Sequence, residues 1–425
     1  MTNQNDVSEP VVKTIKIRLP KWVRCPSCCQ RQPFKKEREN WKMVKDISLN
    51  KTKILKVQTV YAKCLNPECS LNSFALRGKF ERYQRATSRL KVEAVASLIE
   101  DNSTLPRVAQ RLNRSFNTTG SKSAIDRWKH EEASKYKFEE IIPHLKFSGI
   151  LCFDEYKPKR SKTYDLIASD AISNKILYID NVPSLYYTPK FRAGGIARGH
   201  IEDFIRKLKE LGIIPYAVII DLATAYPKQV REVYPDVIIQ FDYFHVVQEI
   251  QRCIRNAIVD FRTKLSQPDM SEERSEIWQY KWKLLKNMDN WTVKDHRVIE
   301  ELIFYYRGTI IEKILIFKEQ IRDIFDNSKS KLEAYHKRHL LSRETYWQDS
   351  YHLTKIVKFI SSRKFEYMIT YLSHPKIPRA GNSEICIKVW RQMEKVRYGM
   401  SIQGRQDHLK LYQISKYLGG ILSKT

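Results

Sequence analysis

The stretch from Ala217 to Asp221 reads AVIID, an apolar run that ends in a carboxylate. A run this short, bounded by polar residues and rich in β-branched side chains, predicts a strand over 217–220 with Asp221 closing it. Upstream, ILCF over 150–153 ends in the same way at Asp154. Between the two, the pattern predicts strands over 164–168 and 176–179, joined by a turn at Ser173 and Asn174, and then a helix over 201–211. Beyond Asp221 come a short helix and a strand over 237–240. Strands alternating with helices predict an α/β core, in which Asp154 and Asp221 both stand at strand ends.

Carboxylates placed this way suit hard divalent cations, which take oxygen ligands. Two such ions about 3.5–4 Å apart activate the attacking oxygen and stabilise the leaving one in phosphoryl transfer. The alternative for either residue alone is an ordinary turn or helix-capping Asp. Asp242 and His245 follow the next strand at a spacing that turns both to one side of a starting helix, where they would support the site. Glu155 points to the opposite face if the strand continues, and so falls outside the ligand set.

Lys and Arg number 76 against 48 Asp and Glu, a formal charge of +28. So large an excess makes a polyanion, nucleic acid first, the expected partner, with a merely basic surface as the alternative. The N-terminal MTNQNDVSEP has no apolar core of a secretory signal, so the chain is expected to stay in the cytoplasm. The most apolar stretch, 310–321, is interrupted by Glu312, Lys313, Lys318 and Glu319, and no membrane span is expected.

Residues 1–20 are polar and Lys-rich and predict a flexible start. Five of the eight cysteines precede residue 70. Cys25 and Cys28, with Cys64 and Cys69, form two close pairs, the arrangement of a structural zinc site built from two knuckles, in a small β module over 21–82. Cys29 competes with Cys28 for the second position. Three short helical patterns then fill 85–134, a helix-turn-helix candidate. Its third helix, over 123–132, would be anchored by Trp128 and present Lys122, Arg127 and Lys129 to DNA; a plain helical connector is the alternative.

After the core strands the chain reads as helical over 243–372, with Val247, Ile250, Ile254, Ile258, Phe261 and Leu265 as one apolar stripe. The segment 246–378 is thus a helical insertion following the first part of the core, 147–245. A last helix carries Glu384 to Lys395 within the C-terminal segment 379–425, with Glu384, Lys388, Arg391 and Lys395 on one side at steps of four, three and four.

Over most of its length the chain resembles insertion-sequence transposases of the ISL-three type, prokaryotic relatives of the Mutator-like group. The resemblance rests on Cys25-Pro-Ser-Cys28 and Lys63-Cys64-Leu-Asn-Pro-Glu-Cys69, on Cys152-Phe153-Asp154-Glu155, on Ile220-Asp221 with Tyr226 five residues on, and above all on Asp242-Tyr-Phe-His245. It implies a multidomain α/β protein: a zinc module and a helix-turn-helix, then an RNase H-like catalytic core split by the helical insertion. It also implies an Asp-Asp-Glu triad of Asp154, Asp221 and Glu384 holding two Mg²⁺ or Mn²⁺ ions, beside a structural Zn²⁺. Glu394 is the alternative third carboxylate, and the chain departs from the family pattern at Ile387, where relatives carry Asn. The implied activity is cleavage and strand transfer on double-stranded DNA, at transposon ends and target, by a dimer or larger assembly at the prokaryotic nucleoid. Lys388, Arg391 and Lys395 would clamp phosphates. A DNA-binding regulator derived from a transposase, or a catalytically defective element copy, is the alternative function.

Overall fold

The computed structural model describes residues 11–48, 51–116, 121–157, 163–183, 198–223, 225–265, 270–395 and 401–419. The chain divides into two units, Met1–Leu145 with Trp390–Thr425, and Lys146–Val389.

In the first unit β1 (Val11–Ile15) is followed by β2 (Trp22–Arg24) and β3 (Arg31–Pro33), a short antiparallel pair, and then by β4 (Lys36–Ser48), β5 (Lys51–Lys63) and β6 (Ser73–Leu76). β4 and β5 pair antiparallel along nearly their whole length, and Val44, Leu55 and Val57 form the core under them. β1 corrects the expectation of a flexible start for Val11–Ile15; residues 1–10 of that segment lie outside the described residues. β1 runs parallel to β5, with Val12 opposite Ile54, because the free edge of β5 offers backbone partners that composition does not reveal.

Three helices follow, α1 (Ser88–Ile99), α2 (Leu105–Phe116) and α3 (Lys122–Ala133), then the single turn α4 (Phe138–Ile141). Side-chain oxygens start two of them: Thr87 accepts from the Leu90 amide and Ser121 from the Ala124 amide. Ser121 therefore sets the start of α3 at Lys122, one residue before the 123–132 span that the sequence suggested. Leu90 and Phe116 pack with Ala86, against which Trp128, Ile47 and Ile54 lie. Lys122 and Arg127 are exposed, but Lys129 is not. At 3% exposure it lies on the buried stripe with Ile125, Glu132 and Ala133, and its ammonium pairs with Asp126 at 2.9 Å. Its expected place on the DNA-facing side is corrected: residue 129 follows Ile125 by one helical turn and shares its face.

The second unit is built on five strands, β7 (Ile150–Tyr156), β8 (Thr163–Asp170), β9 (Ile176–Pro183), β10 (Ala217–Ile220) and β11 (Ile238–Phe241), in the spatial order β11-β10-β7-β8-β9. β7, β8 and β9 form an antiparallel meander, closed at Asn174 in the left-handed conformation. β10 joins β7 in parallel, and β11 joins β10 in parallel. Two helices connect these strands, α5 (Arg198–Glu210) and α6 (Tyr226–Val233). They cover one face, where Phe153 meets Phe204 of α5 and Tyr226 of α6 at ring distances of 6.2 and 5.6 Å. The other face, with Ile150, Cys152 and Ile219, packs against Ile377.

From β11 the chain enters seven helices, α7 (Tyr243–Lys264), α8 (Ser271–Leu285), α9 (Val293–Tyr305), α10 (Ile310–Asp326), α11 (Lys331–Arg343), α12 (Tyr351–Ile360) and α13 (Phe365–Met368). α7 packs against α8, α10 and α12. Its buried stripe is Val246, Ile250, Cys253, Ile254, Ala257 and Ile258, slightly rotated from the one the sequence suggested, because Cys and Ala fit where helices approach closely. The chain then returns to the sheet and forms α14 (Ser383–Lys395).

The last helix, α15 (Ile402–Tyr417), belongs to the first unit, where it packs against α1, α3 and α4. Asp407 bonds the His130 ring, and the Ser415 hydroxyl bonds Glu100 at 3.2 Å. The segment expected to be a catalytic helix and tail over 379–425 is thus divided, because Leu409, Leu411 and Ile414 find their apolar partners nearly three hundred residues earlier. Among the described residues no helix is long and apolar enough to cross a membrane.

Truncating the fully buried Phe153 to Ala removes the ring that joins β7 to α5 and α6. It is expected to cost about 3–5 kcal/mol, read as a lower midpoint in urea unfolding with an unchanged slope.

Candidate active site and metal centre

Ile219 of β10 lies opposite Cys152 of β7 in a parallel pair. Asp221 and Asp154 each stand two residues beyond that pair, so the alternation of side chains turns both toward one face at one level. Asp154 lies within β7, opposite Ile167, rather than at the strand's end as expected, because cross-strand bonding to β8 continues through Tyr156. Asp221 follows β10 directly and accepts from the Leu222 amide at 2.5 Å.

His245 bridges the two acids. Its Nε2 is 3.4 Å from Oδ2 of Asp154 and its Nδ1 is 3.6 Å from Oδ1 of Asp221. Burial alone would discharge the ring, but Asp154, Asp221 and Asp242 reverse that and raise its pKa to about 9. The two carboxylates thus favour the charged form of the ring seated between them. Asp242 caps α7 by accepting from the Phe244 amide at 2.9 Å, which sets the start of the helix and the direction of His245. Burial, reinforced by the charge of Asp154, lifts the Asp242 pKa to about 6 against the opposing Phe244 bond and His245 charge. Glu155 points toward the α5 and α6 face, yet burial and the charges of Asp154 and Asp221 push its pKa up to about 7.

Glu384 occupies the first turn of α14 and is exposed, as are Lys388 and Arg391 on the same face. The side chains of Glu394 and Lys395 lie outside the described residues. Among the described residues, the carboxylates of Asp154, Asp221 and Glu384 are not gathered within 4.8 Å of one another. The start of α14 is fastened to Asp242 and to the end of β8. Ser383 Oγ lies 3.4 Å from Oδ2 of Asp242, and the Asn382 amide donates to the Ala171 carbonyl at 2.9 Å. Ile387 is buried with Cys386, so a polar residue at 387 would face the core.

Three residues that motif reading missed hold this return segment. Gln240 donates to the carbonyls of Pro378 and Arg379 at 2.6 and 3.0 Å. Arg379 pairs with Asp326 at 2.6 Å, and its guanidinium lies 4.1 and 4.8 Å from the rings of Tyr243 and Tyr371. Gly381 rests against β7 so closely that a Cβ there would collide with Sγ of Cys152 and come within 3.1 Å of Asp242 Oδ2. These contacts join residues far apart in the chain and leave no local sequence signal.

In the first unit the four cysteines converge. Sγ of Cys25 and Cys69 are 3.8 Å apart, as are those of Cys28 and Cys64, and all four lie within 4.8 Å of one another. A disulfide needs about 2.05 Å, whereas the edge of a tetrahedron with 2.3 Å zinc–sulfur bonds is about 3.8 Å. The set therefore fits Zn²⁺. Cys28 is in it, and Cys29 is exposed with a φ of 57°, its amide bonded to the Cys25 carbonyl as part of the knuckle turn. The Leu71 amide on Cys69 helps to draw that thiol's pKa down to about 6, toward the thiolate a metal requires. Buried Gln32 links the two knuckles, donating to the Lys63 carbonyl at 2.6 Å and accepting from the Leu65 amide at 2.8 Å.

Cys28→Ser is expected to abolish retention of zinc and Cys29→Ser to leave one ion per chain, as measured by metal analysis after dialysis; loss in both would remove the assignment of Cys28. Gly381→Ala is expected to destabilise the second unit by about 1–3 kcal/mol, and Cys152→Ala in the same chain to restore part of it, read by a double-mutant cycle in urea.

No curated protein matches the chain significantly. Among solved structures, the Drosophila P element transposase strand transfer complex is similar with a TM-score of 0.38 and 12% identity, over 81% of this chain and 94% of that one. The model of the ISL3-type DDE family, described as a transposase, matches residues 151–394, more than half of the chain and the whole path from β7 through α14. By that match the chain belongs to the ISL3-type DDE transposase family.

Proposed function

We propose that the chain is a DNA transposase that cleaves and joins DNA strands at a site formed by Asp154, Asp221 and Glu384. The observation that carries this reading is the pairing of Asp154 and Asp221 on adjacent parallel strands with one cationic group, His245, held between them. Their position in a sheet whose first three strands form a meander, with the fourth and fifth joined in parallel on the other side of the first, supports an RNase H-like core. Hard carboxylate oxygens that already draw a cation fit Mg²⁺ or Mn²⁺. When bound, two such ions supply activation of the attacking oxygen and stabilisation of the leaving oxygen in phosphoryl transfer.

The chain's own residues do the rest. Asp154 and Asp221 would hold the ions, and Glu384 would complete the set from α14, whose start is fastened beside Asp242. Asp242 orients His245, whose ring lies against both carboxylates and positions them. Lys388 and Arg391, exposed along α14 with Glu384, contact DNA phosphates, with Lys395 next in the same series. In the first unit α1 to α3 act as a helix-turn-helix with Lys122 and Arg127 at the DNA, and the zinc module braces it through β4. There Thr87 bonds Asp46 at 2.6 Å, and the Lys45 amide bonds the Arg85 carbonyl at 2.9 Å. Bringing two transposon ends together requires a dimer or larger assembly on DNA.

The test is strand cleavage of the element's end DNA with Mg²⁺ or Mn²⁺, alongside binding. Asp154→Ala, Asp221→Ala and Glu384→Ala are each expected to abolish cleavage with DNA binding kept, and His245→Ala to lower it roughly 10–100-fold. Binding without cleavage by the unaltered protein would favour a regulator or defective copy, and cleavage surviving in Glu384→Ala alone would move the third role to Glu394.

A further inference from the structure

Beside the loop that follows Asp221, the second unit holds a cleft of about 490 Å³ that the proposed chemistry does not use. Half-buried Tyr367 forms its aromatic wall, backed by the buried ring of Phe241 with ring centres 5.3 Å apart. Lys228, Arg231, Arg363 and Lys364 surround it, with Glu232 as the one carboxylate in the lining. Among the described residues none of these four cations forms an ion pair. Arg231 instead lies 5.6 Å from the Tyr367 ring, and Lys364 donates to the Leu222 carbonyl at 3.0 Å. That last bond ties the rim of the cleft to the loop after Asp221, where the Leu222 amide is bonded to Asp221 itself.

Each half of this lining asks for something different. Cations without carboxylate partners attract phosphates. An aromatic wall offers stacking to a flat ring, and a volume of this size suits a small ligand rather than a double helix. A duplex backbone would satisfy the cations and leave the exposed part of the Tyr367 ring uncovered; an apolar side chain would cover that ring and leave the cations unanswered. A nucleotide that has left the base stack meets both requirements, with its base against Tyr367 and its phosphates at Arg231 and Arg363. We propose that this cleft, on the α6 side of the sheet, binds an unpaired nucleotide of a DNA strand engaged at the carboxylate site on the other face. The inference deepens the reading of that site as one that cuts DNA and rests on it for the identity of the strand.

The experiment measures binding rather than cleavage, so its failure is separable from failure of the catalytic reading. Full-length protein is titrated without divalent metal against a duplex carrying a short single-stranded overhang and against the same duplex with a blunt end, over a range of salt. The overhang is expected to bind tighter. Tyr367→Leu should reduce that preference about tenfold while Tyr367→Phe keeps it. Arg231→Ala with Arg363→Ala, both exposed positions, should lower the salt dependence on the overhang by about 1.4 in slope and leave the blunt duplex unchanged. Equal weakening on both duplexes, or no change in either variant, would overturn the proposal. Displacement of the overhang by deoxyadenosine monophosphate at comparable affinity would also overturn it, as a site for free nucleotides.

Discussion

Parallel pairing of β7 with β10, in the register that sets Ile219 opposite Cys152, is the constraint on which the second unit depends. Both strands are buried and apolar, so a slip by one residue would turn every side chain to the wrong face. The same register carries Asp154 and Asp221 out of the sheet side by side. Two carboxylates so close, partly withdrawn from water, repel each other unless a cation stands between them. The protein supplies one in His245, delivered from the first turn of α7 by the Asp242 cap. The site is in this sense an electrostatic demand created by strand pairing and answered by a helix start.

The helix that carries Glu384 arrives after a long detour. Helices α7 to α13 intervene between β11 and the return of the chain to the sheet, and that return is secured by contacts of several kinds. Gln240 binds the carbonyls of the incoming segment, Arg379 ties it to the end of α10, and Gly381 lets it lie directly on Cys152. The insertion and α14 are therefore mechanically joined through Arg379 and Asp326, so that the position of Glu384 depends on how the insertion packs. Ile387, the departure from the family pattern, belongs to the same packing: it is a core residue of α14.

The first unit is held differently. Its apolar clusters are small, which is the situation in which a metal centre substitutes for a larger core. The thiols of Cys25, Cys28, Cys64 and Cys69 join two knuckles that Gln32 already aligns, and α15 closes the other side of α1 and α3.

Local pattern was enough to locate the strands of the core, the long helical segment, the cysteine pairs and the Asp154, Asp221, Asp242 and His245 positions, because strand runs, helix caps and ligand spacings are written within a few neighbouring residues. The sequence by itself thus determined which groups are available and on which elements they ride. Only tertiary structure decided which of them meet. Lys129 was turned inward by the packing of α3, β1 was claimed by the edge of β5, and α15 was drawn back to helices formed some three hundred residues earlier. Gly381 and Arg379 acquired their importance from neighbours distant in the chain. Burial and pairing between remote segments are properties of the assembled core, and no local spacing encodes them.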